Sequence, residues 1–131
     1  MIRASRILAV GLLALALSGC TATPVYTDLD RPATEDDAFP SDVPGGPSDL
    51  IDPDTVRLAG ERDGRTYYIA RGIDSGVCLT IYRSAEAWVT GCGGDEVTVS
   101  DGVVTATVAP NGSALLDDGD RVGENVVVSG G

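Results

Sequence analysis

Histidine and lysine are both missing from this chain of 131 residues. Without His, the side chain that titrates near neutral pH, the commonest metal ligand and every His-dependent triad are excluded. Without Lys, Schiff-base chemistry and Ser-Lys dyads are excluded too. Aromatic residues are scarce at 5 %, with one Trp, one Phe and four Tyr. Catalysis would then fall to carboxylates, Tyr, Ser or a bound metal, and no arrangement of these carries a reaction. Gly72-Ile73-Asp74-Ser75-Gly76 is not Gly-x-Ser-x-Gly, and no His is present to activate Ser75. Paired carboxylates need a substrate cleft, for which a small body poor in aromatics offers little material. The expectation is a protein that is not an enzyme and uses no cofactor.

Basic charge is also in short supply. Nine arginines face 20 acidic residues, for a formal net charge of −11. Phosphate binding rests on clustered Lys and Arg, so nucleic acid and anionic headgroups are poor partners. Cations, basic peptides and basic protein patches suit the charge, although surface acid also simply keeps an exported protein soluble. Asp117, Asp118 and Asp120 around Gly119 form the densest acidic turn. Calcium takes six to eight oxygens, and the spacing is not that of an EF-hand, so these three are weak metal candidates beside the simpler reading of a solvated turn. No metal site is expected.

Present instead is an unusual N-terminal stretch. Met1 to Arg6 holds two arginines and no acid, and Ile7 to Leu17 is wholly apolar or Gly. A short basic region followed by such a run has the layout of a secretory signal peptide. The run is too short for a spanning helix, which needs about 20 apolar residues. Leu17-Ser18-Gly19-Cys20 follows directly and resembles the lipobox of bacterial lipoprotein precursors. That resemblance implies diacylglycerol on Cys20, cleavage just before it, and often a further acyl chain such as palmitate on the new amino terminus. It implies a cell-membrane location on the extracytoplasmic face, with the membrane itself a partner through the lipid at Cys20. Two or more chains anchor stably where one binds marginally, since each buried methylene contributes about 0.8 kcal/mol. Cleavage after residue 19 leaves seven arginines against 20 acids, a net charge of −13.

Residues 20–54 change character. Six of the seven prolines and nine acids against one Arg lie between Thr21 and Asp54. Such a segment buries too little apolar surface to offset its ordering entropy, so the composition predicts a disordered tether. As a coil its ends would lie roughly 30–35 Å apart.

From Thr55 onward the pattern becomes short apolar alternations broken by turns, the mark of antiparallel β structure. Asp63-Gly64 and Asp101-Gly102 each predict a two-residue type I′ turn. The second would pair Val99 with Val104, Val97 with Ala106 and Thr98 with Thr105. Pro110-Asn111-Gly112 and Asp117 to Asp120 mark further turns, and Val122 to Val128 reads as the last strand. Only Ser84 to Ala87 suits a helical turn. The fold class is therefore all-β, a small antiparallel barrel or sandwich of six to eight short strands over residues 55–131.

With Cys20 lipidated, Cys78 and Cys92 remain as an even pair in an exported domain, which predicts a disulfide. Folding Val77–Tyr82 back on Trp88–Cys92 places Cys78 opposite Cys92, Thr80 opposite Thr90 and Tyr82 opposite Trp88 on one face. Cross-strand Thr and aromatic pairs each add a few tenths to about 1 kcal/mol. Two thiolates without His do not complete a zinc site, and redox motifs favour Cys-x-x-Cys. Tyr67, Tyr68, Tyr82 and Trp88 are candidates for an exposed recognition surface. The runs Tyr67–Arg71, Gly76–Tyr82 and Trp88–Gly93 resemble small exported or membrane-bound actinobacterial proteins of uncharacterised role. The resemblance implies an extracytoplasmic β-module and brings no catalytic residue. The expected function is a lipid-anchored module that binds a protein or cell-envelope partner. The alternative is a cation- or small-ligand-binding accessory module built on the acidic turns.

Overall fold

The computed structural model describes residues 23–40, 49–74 and 76–130. The expected signal peptide, the expected lipidation site Cys20, residues 41–48 of the expected tether and Ser75 lie outside the described residues. Among the described residues, eight strands form two four-stranded antiparallel sheets. The first is a meander of β1 (Arg57–Arg62), β2 (Arg65–Arg71), β3 (Val77–Ser84) and β4 (Ala87–Gly93), in the order β1-β2-β3-β4. The second holds β5 (Val97–Ser100), β6 (Val104–Val108), β7 (Asp120–Arg121) and β8 (Val126–Gly130), in the order β5-β6-β8-β7. The sheets pack face to face as a sandwich, and among the described residues the only helices are three 3-10 turns of three or four residues. No helix among the described residues is long and apolar enough to cross a membrane.

Alternation along each strand builds the core. Tyr67, Ile69, Val77, Leu79 and Ile81 of the first sheet face Val99, Val104, Ala106, Val108, Val126 and Val128 of the second. The opposite face of β2 and β3 is also apolar. Tyr68, Ala70 and Cys78 form a second cluster there with Ile51 and Val56, flanked by Phe39, Leu58 and Tyr82. Phe39 tilts against Tyr68 with ring centroids 5.0 Å apart.

That second cluster corrects the reading of residues 20–54 as a disordered tether. Residues 23–40 and 49–54 form a strap wound over the sandwich, and the folded body begins near residue 25 rather than at 55. Tyr26, Leu29 and Ile51 are buried, and Ile51 bridges to Gly72. Average composition conceals this because the few large apolar residues are spaced to cover a sheet that is apolar on both faces. Two of the acids are themselves buried and fully hydrogen-bonded, so they do not oppose folding as solvated charges would.

The turns show which local signals hold. Asp63 and Gly64 both take positive φ, 51° and 77°, as a type I′ turn requires, and Arg62 pairs with Arg65 across it. The Asp101-Gly102 turn differs. Ser100 pairs with Thr105, Val99 with Ala106, Thr98 with Thr107 and Val97 with Val108, a shift of two residues from the expected register. Only Gly102 has positive φ there, while Asp101 Oδ1 accepts from the N–H groups of Val103 and Val104, both at 2.9 Å. A two-residue shift preserves which face each side chain occupies, so the core pattern survives it.

The last strand begins at Val126 rather than Val122. Val122 N donates to Val126 O at 2.8 Å, closing a tight turn through Gly123 at φ +78°. A side chain at Gly123 would meet Ala59 O at 2.6 Å and Asp28 Oδ2 at 2.7 Å, so this approach needs Gly. Ser84 to Ala87 is the β3–β4 turn rather than a helical one, with Ser84 opposite Ala87 and a register shift beside Tyr82.

Candidate functional site

The β3–β4 hairpin holds the residues that the sequence singled out. Its register is the expected one: Cys78 opposite Cys92, Thr80 opposite Thr90 and Tyr82 opposite Trp88. The disulfide is formed, with Cα atoms 4.1 Å apart. Thr80 and Thr90 share a hydrogen bond of 2.6 Å between their hydroxyls. Cys78 is buried under the strap, and both sulfurs lie within 4.0 Å of Leu50 O, whereas Cys92 is exposed. The ladder therefore runs from a buried strand to a half-exposed one.

The four aromatic candidates divide. Tyr67 is 1 % exposed in the core between the sheets, and Tyr68 is 6 % exposed beneath the strap. Neither presents a surface, because β2 is covered on both faces. Tyr82 and Trp88 are half-buried at the outer end of the ladder. A shallow groove of about 300 Å³ runs beside Trp88, lined by Arg83, Glu86, Val89, Ser100 and Asp101 among others. A larger depression, about 360 Å³, sits on the polar tip of the β1–β2 hairpin around Asp63 and Gly64.

The acidic turn does not converge on a cation. Asp117, Asp118 and Asp120 are all exposed. Asp117 lies 3.4 Å from Arg121, and Asp120 lies 2.9 Å from Arg62. Among the described residues no group of three His, Cys, Asp or Glu side chains is placed to hold a metal ion.

The buried carboxylates are elsewhere, and the sequence did not single them out. Asp37 is 2 % exposed and is gripped by Arg31 through two bonds of 2.9 and 2.6 Å. It also accepts from Thr34 N at 2.6 Å and Leu58 N at 2.8 Å. The Arg31 bonds hold its pKa well below the usual carboxylate range against the opposing effect of burial. Thr34-Glu35-Asp36-Asp37 has the Thr-x-x-acid spacing of a capping box, a signal that was there to be found.

Asp28 docks the strap at the other end. Its Oδ2 accepts from Glu124 N and Asn125 N, both at 2.8 Å, and its own N–H donates to Asn125 Oδ1 at 3.0 Å. Burial raises its pKa, and the two backbone donors offset this only in part. Asn125, fully buried, also donates to Ala109 O and to Asn111 Oδ1.

A third carboxylate joins the two sheets. Arg65 Nε donates to Asp101 Oδ2 at 2.6 Å, with each side chain 10 % exposed. Burial alone would raise Asp101, but bonds from Arg65, Val104 and Val103 outweigh it and bring its pKa to about 2. Every described buried polar side-chain atom has a hydrogen-bond partner. These carboxylates are spent on holding the fold together. No family model, curated protein or solved structure matches the chain.

Proposed function

We propose that this protein is a membrane-anchored extracytoplasmic lipoprotein whose non-enzymatic β-module binds a protein or cell-envelope partner. The observation that carries the reading is Leu17-Ser18-Gly19-Cys20 placed directly after the apolar run Ile7–Leu17. The disulfide supports it, since such bridges persist in oxidising compartments. The engagement of the buried carboxylates by arginines and backbone N–H groups supports a binding module over a hydrolase. Burial of Tyr26 shortens the reach of the anchor. Five residues, Thr21 to Val25, separate Cys20 from Tyr26. From Cys20 to Tyr26 the chain spans at most about 20 Å. The module then works close against the bilayer rather than at the end of a long tether.

Metabolic labelling with an alkyne analogue of palmitate tests the anchor. The wild type should take up label and sediment with membranes. Cys20→Ala should lose both while its Cys78–Cys92 bridge still forms. An unlabelled wild-type protein would remove the reading.

A further inference from the structure

The four sheet edges are unequally protected against pairing with another chain. Exposed edges are commonly blunted by charge, bulges or shortness. β1 carries Arg57, Glu61 and Arg62 and a bulge between Leu58 and Gly60. β7 is two residues long, both charged. β5 has four residues, bracketed by Glu96 and Asp101. β4 has seven residues, Ala-Trp-Val-Thr-Gly-Cys-Gly, with no charge and no Pro, and six of the seven are half-buried. Its one register shift lies beside the turn, at Tyr82 and Ser84.

The disulfide identifies the open backbone groups. A Cα separation of 4.1 Å between Cys78 and Cys92 marks a non-hydrogen-bonded pair. Alternation makes Thr80–Thr90 and Tyr82–Trp88 non-hydrogen-bonded as well. The N–H and C=O groups of Trp88, Thr90 and Cys92 therefore point away from β3, toward the outer edge of the sheet. Among the described residues, none of them bonds to backbone outside the sheet.

Charge selects the occupant. Exposed Glu86 stands at one end of β4 with exposed Arg83 on the same groove, and exposed Asp95 and Glu96 stand at the other with no Arg beside them in sequence, on a chain of net charge −11. The groove beside Trp88 opens next to Glu86 and has room for one long side chain. A second copy of this acidic chain would bring like charges together.

We propose that the β4 edge receives, by strand addition, an extended segment of a partner polypeptide that is uncharged at its centre and basic where it meets Asp95 and Glu96. Main-chain bonds to Trp88, Thr90 and Cys92 give affinity, and the flanking acids give polarity to the choice. This rests on the partner-binding reading above and names its surface.

Trp88 is the sole Trp, so its emission reports directly on the edge. The full chain in detergent micelles is titrated with Arg-Arg-Val-Thr-Val-Thr-Val-Arg-Arg. The same peptide with every central amide N-methylated, and a version with Glu at both ends, serve as comparisons. Saturable binding of the first, weakened at least about tenfold in the other two, is expected; such a factor corresponds to about 1.4 kcal/mol. Thr90→Pro should weaken binding similarly, because Pro on an edge removes an outward N–H and spares the β3 ladder. The methylated peptide leaves the protein unaltered and decides the matter if that variant does not fold. Equal binding of the methylated peptide, no binding of the first, or a dimer already occupying β4 in sedimentation would overturn the proposal. In cells, a photo-crosslinker at Thr90 is compared with one at Thr98 on the exposed face of β5. A partner caught only from Thr98 sinks the edge and leaves the partner-binding reading standing. A partner caught from neither position sinks both.

Discussion

At the scale of single residues, the chain's stability rests on three carboxylates placed in unlike surroundings. Asp37 and Asp101 have lowered pKa values, the latter about 2. Unfolded Asp titrates near about 3.9, so their contribution is complete above about pH 4 and is lost as pH falls through the folded values. Urea melts from pH 7 to 2 should show a midpoint that declines below about pH 4. Asp28 has the opposite sign: its raised pKa favours the protonated form, so its contribution fades as pH rises through the folded value. Asp28→Asn keeps an oxygen for Glu124 N and Asn125 N and removes the buried charge. It should change stability by less than about 1 kcal/mol at neutral pH, and remove whatever decline the wild type shows above pH 4. Asp37→Ala strands Arg31, Thr34 N and Leu58 N without their acceptor and should cost about 3 kcal/mol, read from the same melts. The sequence concealed Asp28 because nothing local separates it from the other acids between Thr21 and Asp54, whereas Asp37 is set apart by its Thr34-x-x-Asp37 capping spacing.

At the scale of elements, the β3–β4 hairpin could be read residue by residue from sequence, whereas the β5–β6 hairpin could not. Three compatible cross-strand pairs over-determine the first register. The second depended on one Asp-Gly turn, and Asp101 is recruited by Arg65 from the other sheet and holds Val103 and Val104 instead. The bridge closes a loop of 14-residue separation. In the chain-entropy model such a loop is worth about 3 kcal/mol. Cys78→Ala with Cys92→Ala should therefore lower the unfolding free energy by up to that amount while leaving the far-UV spectrum of the fold intact. Because Cys92 is exposed, a mild reductant acting on the native wild type should reproduce the shift; bridge sulfurs unreactive until unfolding would contradict the exposed placement.

For the whole molecule, the strap decides what counts as the domain. Tyr26 and Leu29 belong to the core between the sheets, and Phe39, Ile51 and Val56 cover the outer face of β2 and β3. A protein beginning at Thr23 should fold cooperatively. One beginning at Thr55 should bind a hydrophobic dye and aggregate, since it leaves Tyr68 and Ala70 open to water. A cooperative, dye-free Thr55 chain would show that the strap is dispensable. The two acyl-side consequences, a short anchor and a body close to the bilayer, stand or fall with the strap and with Cys20 together.

Local chemistry in the chain was enough for the all-β class, the paired cysteines, the β3–β4 register and the type I′ turn at Asp63-Gly64. Each depends on residues within one turn or one hairpin, where backbone sterics and alternation act directly. Tertiary structure alone decided the order of the strap, the β5–β6 register, the start of the last strand and the burial of Tyr67 and Tyr68. Each of these turns on a contact across the molecule: Arg65 with Asp101, Asp28 with Glu124 and Asn125, Phe39 with Tyr68. Hydrogen bonds and packing between residues tens of positions apart leave no periodic trace in the sequence, so they appear only once the two sheets have met.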